Sequence, residues 1–171
     1  MDADCPPARR KASDITASTT TPAQSFSDLG VPAVLVDQLS ADGKTEAFPI
    51  QQDTLGDTLA GRDVLGRGKT GSGKTLAFSI PLVAGLAEMQ VKRYVGAPTG
   101  LILAPTRELA LQVAEAFGKY SAHIPGLHVL PIYGGQSYGV QLSGLRRGAQ
   151  IIVGPPGRVI DHLEKGSLDI S

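Results

Sequence analysis

Residues Gly66 to Phe78 read GRGKTGSGKTLAF, and their glycines satisfy two phosphate-binding patterns at once. Gly66, Gly68 and Gly71 fit G-x-G-x-x-G, the fingerprint of a dinucleotide site, while Gly68, Gly73, Lys74 and Thr75 fit G-x-x-x-x-G-K-T. A dinucleotide site needs an acid about 20 positions later, at the end of a second strand, to hold the ribose hydroxyls. Glu88 has that spacing but falls inside the helix predicted to follow the loop. The P-loop pattern also accounts for Lys74 and Thr75, which the dinucleotide pattern and a plain glycine connector both leave unexplained. In a P-loop the backbone N–H groups of Gly68, Lys69, Thr70, Gly71, Ser72 and Gly73 wrap phosphates. The Lys74 ammonium then reaches the outer phosphates, and the Thr75 hydroxyl ligates Mg²⁺. The loop empties into a helix N-terminus, whose partial positive charge favours an anion. The stretch therefore predicts a nucleoside-triphosphate site with Mg²⁺, with Lys74 and Thr75 nearest the chemistry.

The elements around it must hold it in place. Pro32 to Leu39 and Pro49 to Leu59 carry apolar residues at helical spacing, each with a proline near the start and a glycine beyond the end. Arg62 to Leu65 is a short strand candidate leading into the loop, and Lys74 to about Gln90 a long helix. Then come a buried strand at Gly100–Ala104 and a helix at Thr106 to Tyr120. A strand at Leu127–Tyr133, a Gly-Gly turn and a short helix at Tyr138 to Leu145 follow. Ile151–Val153 is an apolar strand and Gly157 to Glu164 a last helix. Strands alternating with helices predict an α/β fold with a parallel sheet flanked by helices. Ligands of such sheets bind at the carboxyl ends of the strands, so the glycine loop, Pro105, Gly134 and Pro155 should gather on one edge.

Bulk composition sets limits. At 171 residues the chain holds one domain, and 42% hydrophobic with 19% charged residues places it among globular proteins. Residues 1–24, rich in Pro, Ser, Thr and Asp, read as a disordered tail, so the folded part is expected over 25–171. The Arg9-Arg10-Lys11 cluster in that tail reads as solvated charge. No apolar run approaches the roughly 20 residues of a membrane span, and the N-terminus has no secretory pattern. Cys5 has no partner for an internal disulfide, which makes a cytoplasmic location the expectation. Lys plus Arg equals Asp plus Glu at 16 each, so binding to nucleic acid must come from placed groups, not a general positive field. His123, His128 and His162 lack metal-ligand spacing, and packing or surface roles are expected for them.

Several further stretches carry a family resemblance. Phe26, AFPIQ at Ala47–Gln51, the glycine loop, LILAPTRELALQ, YGGQ at Tyr133–Gln136 and IIVGPPGR at Ile151–Arg158 together resemble the amino-terminal motifs of DEAD-box RNA helicases. The resemblance runs from Phe26 to the C-terminus. It implies a RecA-like, incomplete first helicase domain, ATP and RNA as ligands, and a monomer. It also implies that Gln51 reads the adenine edge, where an amide offers a donor and an acceptor together, with Phe26 supporting that segment. RNA contacts are implied for Pro105, Thr106, Arg107 and Glu108, for Gly134, Gly135 and Gln136, and for Pro156, Gly157 and Arg158. Independently of the family, Thr106 suits a helix cap, Arg107 a phosphate contact and the glycine pair a close backbone approach. Such contacts address backbone, so binding should be largely sequence-independent. The chain departs from the family at Lys44, where an aromatic is usual, at Ala47-Phe48 in place of Pro-Thr, and at Pro155 in place of threonine. Phe48 is the candidate to replace the aromatic.

Hydrolysis of ATP needs a strand-end acid for Mg²⁺ and a group orienting water. The family supplies both from an Asp-Glu-Ala-Asp run, which these 171 residues do not contain. Asp161, Glu164 and Asp169 fall on the last helix or after it. The expectation is the ATP- and RNA-binding front of an ATP-dependent RNA helicase, hydrolysing little as this chain alone. The alternative is a non-catalytic nucleotide- or RNA-binding module. A small P-loop kinase or transport ATPase leaves PTRELA and the Gly-Gly turn unexplained.

Overall fold

The computed structural model describes residues 14–16, 22–89 and 94–171. Its elements are β1 (Asp14–Thr16), α1 (Ala33–Ala41), α2 (Pro49–Leu59), β2 (Leu65–Arg67), α3 (Lys74–Glu88) and β3 (Gly100–Leu103). They continue with α4 (Arg107–Ser121), β4 (Val129–Pro131), α5 (Tyr138–Arg146), β5 (Ile151–Gly154) and α6 (Pro156–Glu164). Most of the tail expected over 1–24, with Cys5 and Arg9-Arg10-Lys11, lies outside the described residues. Within it, Asp14–Thr16 runs parallel to β2.

The apolar run Ile151-Ile152-Val153 forms the middle strand of a three-stranded parallel sheet, in the order β3-β5-β4. Successive side chains on a strand point to opposite faces, so an uninterrupted apolar run suits a strand covered on both sides. Ile151 and Val153 enter the larger core with Leu35, Leu39, Leu55, Ile80, Val83 and Phe117. Ile152 faces the smaller one, with Ile132, Leu145, Val159 and Leu168. Gly154 has to be glycine, because a Cβ there would run into the carbonyl oxygen of Ile132. Leu103 pairs with Gly154 and Pro131 with Val153, which brings the carboxyl ends of all three strands into line. The loops leaving these ends therefore start side by side.

The first strand candidate is displaced. The sequence pattern predicts it at Arg62–Leu65, whereas the chain becomes extended only at Leu65. Residues before it finish the turn of α2: Gly61 takes φ +74, the Arg62 N–H donates to the Asp57 carbonyl at 3.0 Å, and its guanidinium pairs with the Asp57 carboxylate at 2.8 Å. β2 also pairs with β1 and not with the three-stranded sheet. Leu65 and Leu103, at 59% and 56% exposure, leave apolar surface open on β2 and β3. β4 is shorter than the expected Leu127–Tyr133, and side chains bond some of its flanking backbone groups. Gln150 Oε1 accepts from the His128 N–H at 2.8 Å, and Gln141 Nε2 donates to the Tyr133 carbonyl at 2.7 Å.

Candidate nucleotide and nucleic-acid sites

The glycine loop joins β2 to α3, and its glycines occupy places other residues cannot. Gly71 and Gly73 have φ of +78° and +83°, in the left-handed region that costs other residues roughly 1–2 kcal/mol. A Cβ on Gly68 would lie 2.5 Å from Ser72 Oγ. Gly73 is the N-cap of α3 and places Lys74 and Thr75 in its first turn, where N–H groups have no intrahelical acceptor. Lys74 Nζ donates to the carbonyls of Gly68 and Lys69, at 2.7 Å each, so the ammonium is folded onto its own loop. Ser72 Oγ is buried without a hydrogen-bond partner.

A phosphate chain fits these features. It would accept from the orphaned hydroxyl and the first-turn N–H groups, and would draw the ammonium from loop carbonyls to a full negative charge. Thr75 is half-buried in the same turn. Among the described residues there is no group of three or more His, Cys, Asp or Glu side chains placed to hold a metal.

Gln51 and Phe48 close one side of the loop. Phe48 is the N-cap of α2, and the Gln51 side chain reaches back to accept from the Phe48 N–H at 2.9 Å. The other end of the same amide donates to the Gly73 carbonyl at 2.9 Å. Gln51 is only 1% exposed, while Phe48 is 55% exposed. A Cβ on Gly73 would come within 2.6 Å of the Phe48 ring and would collide with the Gln51 amide. Lys44, in the place where an aromatic was sought, is drawn away to Asp42 at 3.3 Å and to the Tyr120 ring. Phe26 is buried in the larger core. Its neighbours tie the segment ahead of α2, through the Ser25–Glu46 bridge and an Ala47 N–H donated to the Gln24 carbonyl at 2.9 Å.

A second cluster forms at the carboxyl ends of the three-stranded sheet. Thr106 caps α4, accepting from the Leu109 N–H at 3.2 Å, and leaves Pro105, Arg107 and Glu108 beside that helix start. The Arg107 guanidinium lies 4.8 Å from the centre of the Tyr133 ring, and a Cβ on Gly135 would be 3.1 Å from its Nη1. Gly135 has φ +84. On the other side, Arg158 Nη2 lies 3.9 Å from where a Gly134 Cβ would stand. Two guanidiniums thus flank a glycine pair that lets a ligand come close to the backbone. Pro155 and Pro156 open α6, whose start has no side-chain cap. Gln136 Oε1 is buried without a partner at the same turn. The expectation of a single edge therefore holds for Pro105, Gly134 and Pro155.

The sequence singles out neither Tyr138 nor Gln141, while His162 takes the packing role expected for it. His162 is fully buried, with Nδ1 2.8 Å from Ser167 Oγ and Nε2 2.8 Å from Gln141 Oε1. Burial, and after it the charge of Arg158, push its pKa below the usual histidine value. The partners of this histidine are an amide and a hydroxyl.

A glycine loop opening a helix N-terminus on a parallel α/β scaffold defines a P-loop nucleotide-binding domain. Residues 48–170 match the family model described as DEAD/DEAH box helicase, and the chain belongs to that family. It is 50% identical over 154 residues to the ATP-dependent RNA helicase DeaD of Mycobacterium tuberculosis, covering 90% of this chain and 26% of that protein. To the ATP-dependent RNA helicase DeaD of Escherichia coli it is 51% identical over 146 residues, covering 85% and 22%. The chain thus spans about a quarter of the length of these relatives. The RNA helicase Prp28 of Chaetomium thermophilum, in a crystal structure with ADP, superposes with TM-score 0.76 at 39% identity, over 86% of this chain and 36% of that one. A DEAD box protein of Methanococcus jannaschii gives TM-score 0.74 at 30% identity, over 86% and 39%. The fold is RecA-like.

Proposed function

We propose that these residues form the ATP-binding and RNA-binding portion of an ATP-dependent RNA helicase. The observation that carries the reading is the arrangement of Arg107, Gly134-Gly135 and Arg158. Loops far apart in sequence bring two cations and an accessible backbone to one edge of the sheet, a pattern suited to a sugar-phosphate strand. The ATP half rests on the cradle of Gly68, Ser72 and Gly73, the Lys74 ammonium and the Gln51 amide beside them. The ADP-bound state of the Prp28 structure supports an adenine nucleotide as the ligand.

Lys74 leaves the Gly68 and Lys69 carbonyls to hold the outer phosphates, and Ser72 gains the partner it lacks. Thr75 would hold Mg²⁺, which when bound would neutralise phosphate charge. Gln51 reads the adenine edge with whatever donor and acceptor capacity its two internal bonds leave. Arg107 and Arg158 grip RNA phosphates, with Thr106 and Gly157 at the helix starts. None of these groups orients an attacking water, so the 171-residue chain by itself is expected to bind without hydrolysing appreciably.

Titration of the chain with a fluorescent adenine nucleotide and with labelled single-stranded RNA tests the reading, alongside phosphate release. Binding of both ligands with negligible turnover is expected. Robust RNA-stimulated phosphate release would refute the assignment of a binding-only portion, and failure to bind either ligand would remove the reading altogether.

A further inference from the structure

His162 belongs to neither cluster, yet its hydrogen bonds lead to one of them. Gln141 Nε2 donates to the Tyr133 carbonyl, immediately ahead of Gly134-Gly135, at 2.7 Å. The reverse orientation of this amide would set two acceptors against each other, so its orientation is fixed by chemistry. Gln141 Oε1 can then only accept, and His162 Nε2, 2.8 Å away, must carry the ring proton. Nδ1 is therefore an acceptor and faces the Ser167 hydroxyl at 2.8 Å, whose hydrogen is shared with the His162 carbonyl 3.1 Å away. Tyr138 OH lies 3.0 Å from Ser167 Oγ and donates into the same chain.

The imidazole also acts through its face. It stacks on the Tyr138 ring, with centres 4.5 Å apart and planes 9° from parallel. Arg158 lies over that tyrosine ring at 5.9 Å and is held by Asp161 at 3.3 Å, while Lys165 lies over the same ring at 4.3 Å. One buried side chain thus reaches both the turn that carries the glycine pair and the ring that supports Arg158. An apolar residue could fill the same space without the cost of burying two ring nitrogens. What the polar network adds is a fixed relation between its ends.

We infer that His162 is a positioning residue for the nucleic-acid face: through Gln141 and Tyr138 it sets the Gly134-Gly135 turn and Arg158 in register for one phosphate backbone. The inference rests on the RNA-binding reading above. His162 itself touches no RNA.

The test measures RNA and adenine-nucleotide affinity side by side on the whole chain, with a labelled uridine oligonucleotide and a fluorescent ADP analogue. His162→Leu removes the N–H donor, and His162→Gln restores a donor able to reach Gln141 Oε1. H162L should weaken RNA binding about 3- to 10-fold with nucleotide affinity unchanged, and H162Q should recover most of the loss. Gln141→Met keeps the volume and cuts the link to the Tyr133 carbonyl. It should reproduce the H162L loss, and it carries the test should H162L not fold. Long-range proton–nitrogen NMR should find the ring proton on Nε2. RNA affinity unchanged in H162L, equal losses in H162L and H162Q, parallel loss of nucleotide affinity, or a proton on Nδ1 would each overturn the role of His162. A wild-type chain that binds nucleotide but no RNA would instead sink the RNA-binding reading itself.

Discussion

The Gln51 amide is joined to the Gly73 carbonyl at 2.9 Å, so the residue expected to read a base is also a brace of the phosphate loop. Its oxygen simultaneously caps the Phe48 N–H. A buried amide with both ends engaged leaves one hydrogen and one lone pair for a ligand. Base reading and loop geometry are therefore coupled through a single side chain. Gln51→Ala should lower stability by about 1–2 kcal/mol, through the lost cap and loop bond. It should also weaken adenosine and guanosine nucleotides alike to the extent that the loop loosens. Denaturant unfolding and parallel titrations with the two nucleotides measure these effects; the excess loss for adenosine reports direct base reading.

Gly73→Ala should be worse than the change at Gln51, because it combines backbone strain with collision. An alanine at φ +83 carries the left-handed cost, and its methyl would run into the Gln51 amide and the Phe48 ring, with neither free to move without breaking the α2 cap. A loss of roughly 2–4 kcal/mol and abolished nucleotide binding are expected. Near-wild-type unfolding of G73A would show that the loop relaxes freely.

Lys74→Ala should weaken a triphosphate about 10- to 100-fold, corresponding to loss of a charge-assisted hydrogen bond of about 1.5–3 kcal/mol. The ammonium already sits at 2.7 Å from two loop carbonyls, so these bonds must be exchanged on binding. The net loss should therefore fall toward the lower end of that range. Calorimetric titration with ATP and with adenosine separates the two parts of the site. K74A should barely change adenosine.

Much of the loop, and of the order of elements around it, was legible in the sequence, because glycine, lysine and threonine at fixed spacing have few other uses. The span of α2 was readable too, from Pro49 at its start and Gly61 beyond its end. The Ile151–Val153 run announced a strand covered on both faces. What could not be read depends on partners outside each segment's own pattern. Nothing within Arg62–Leu65 marks Arg62 as belonging to the end of α2, which is decided by its pairing with Asp57 five positions earlier. The pairing of β2 with Asp14–Thr16 comes from a segment with little apolar periodicity. Gln141 and His162 look like ordinary polar positions on short helices until the fold sets them 2.8 Å apart. The resemblance pointed to Gln51 as a ligand contact, but only the fold shows it holding Gly73.

Arg107→Ala and Arg158→Ala should each weaken single-stranded RNA binding across sequences, not for particular bases. Each removes one phosphate contact, so the slope of log affinity against log salt should fall by about 0.7 per residue. Arg107 stands over Tyr133 and Arg158 is pinned by Asp161, so both enter binding partly ordered. Anisotropy titrations over a series of salt concentrations check the slope. An unchanged slope for either variant would remove that residue from the interface.

Stability should fall with acid in two separable windows. His162 is neutral in the fold, and burial first, then the Arg158 charge, hold its pKa below the usual value near 6.5. The unfolded chain therefore binds the proton more readily, and stability drops as pH falls from about 6.5 toward the lower folded value. Asp42 behaves likewise at lower pH. Lys119 at 2.6 Å, with Lys44 and Tyr120, holds its carboxyl below the ordinary carboxylate value of 3.8. Its contribution is complete above that value and is lost as pH falls through the folded one. Denaturant unfolding at a series of pH values should show the first step vanish in His162→Gln and the second shrink in Asp42→Asn. A first step that survives in H162Q would mean that another group, not the buried imidazole, takes up the proton.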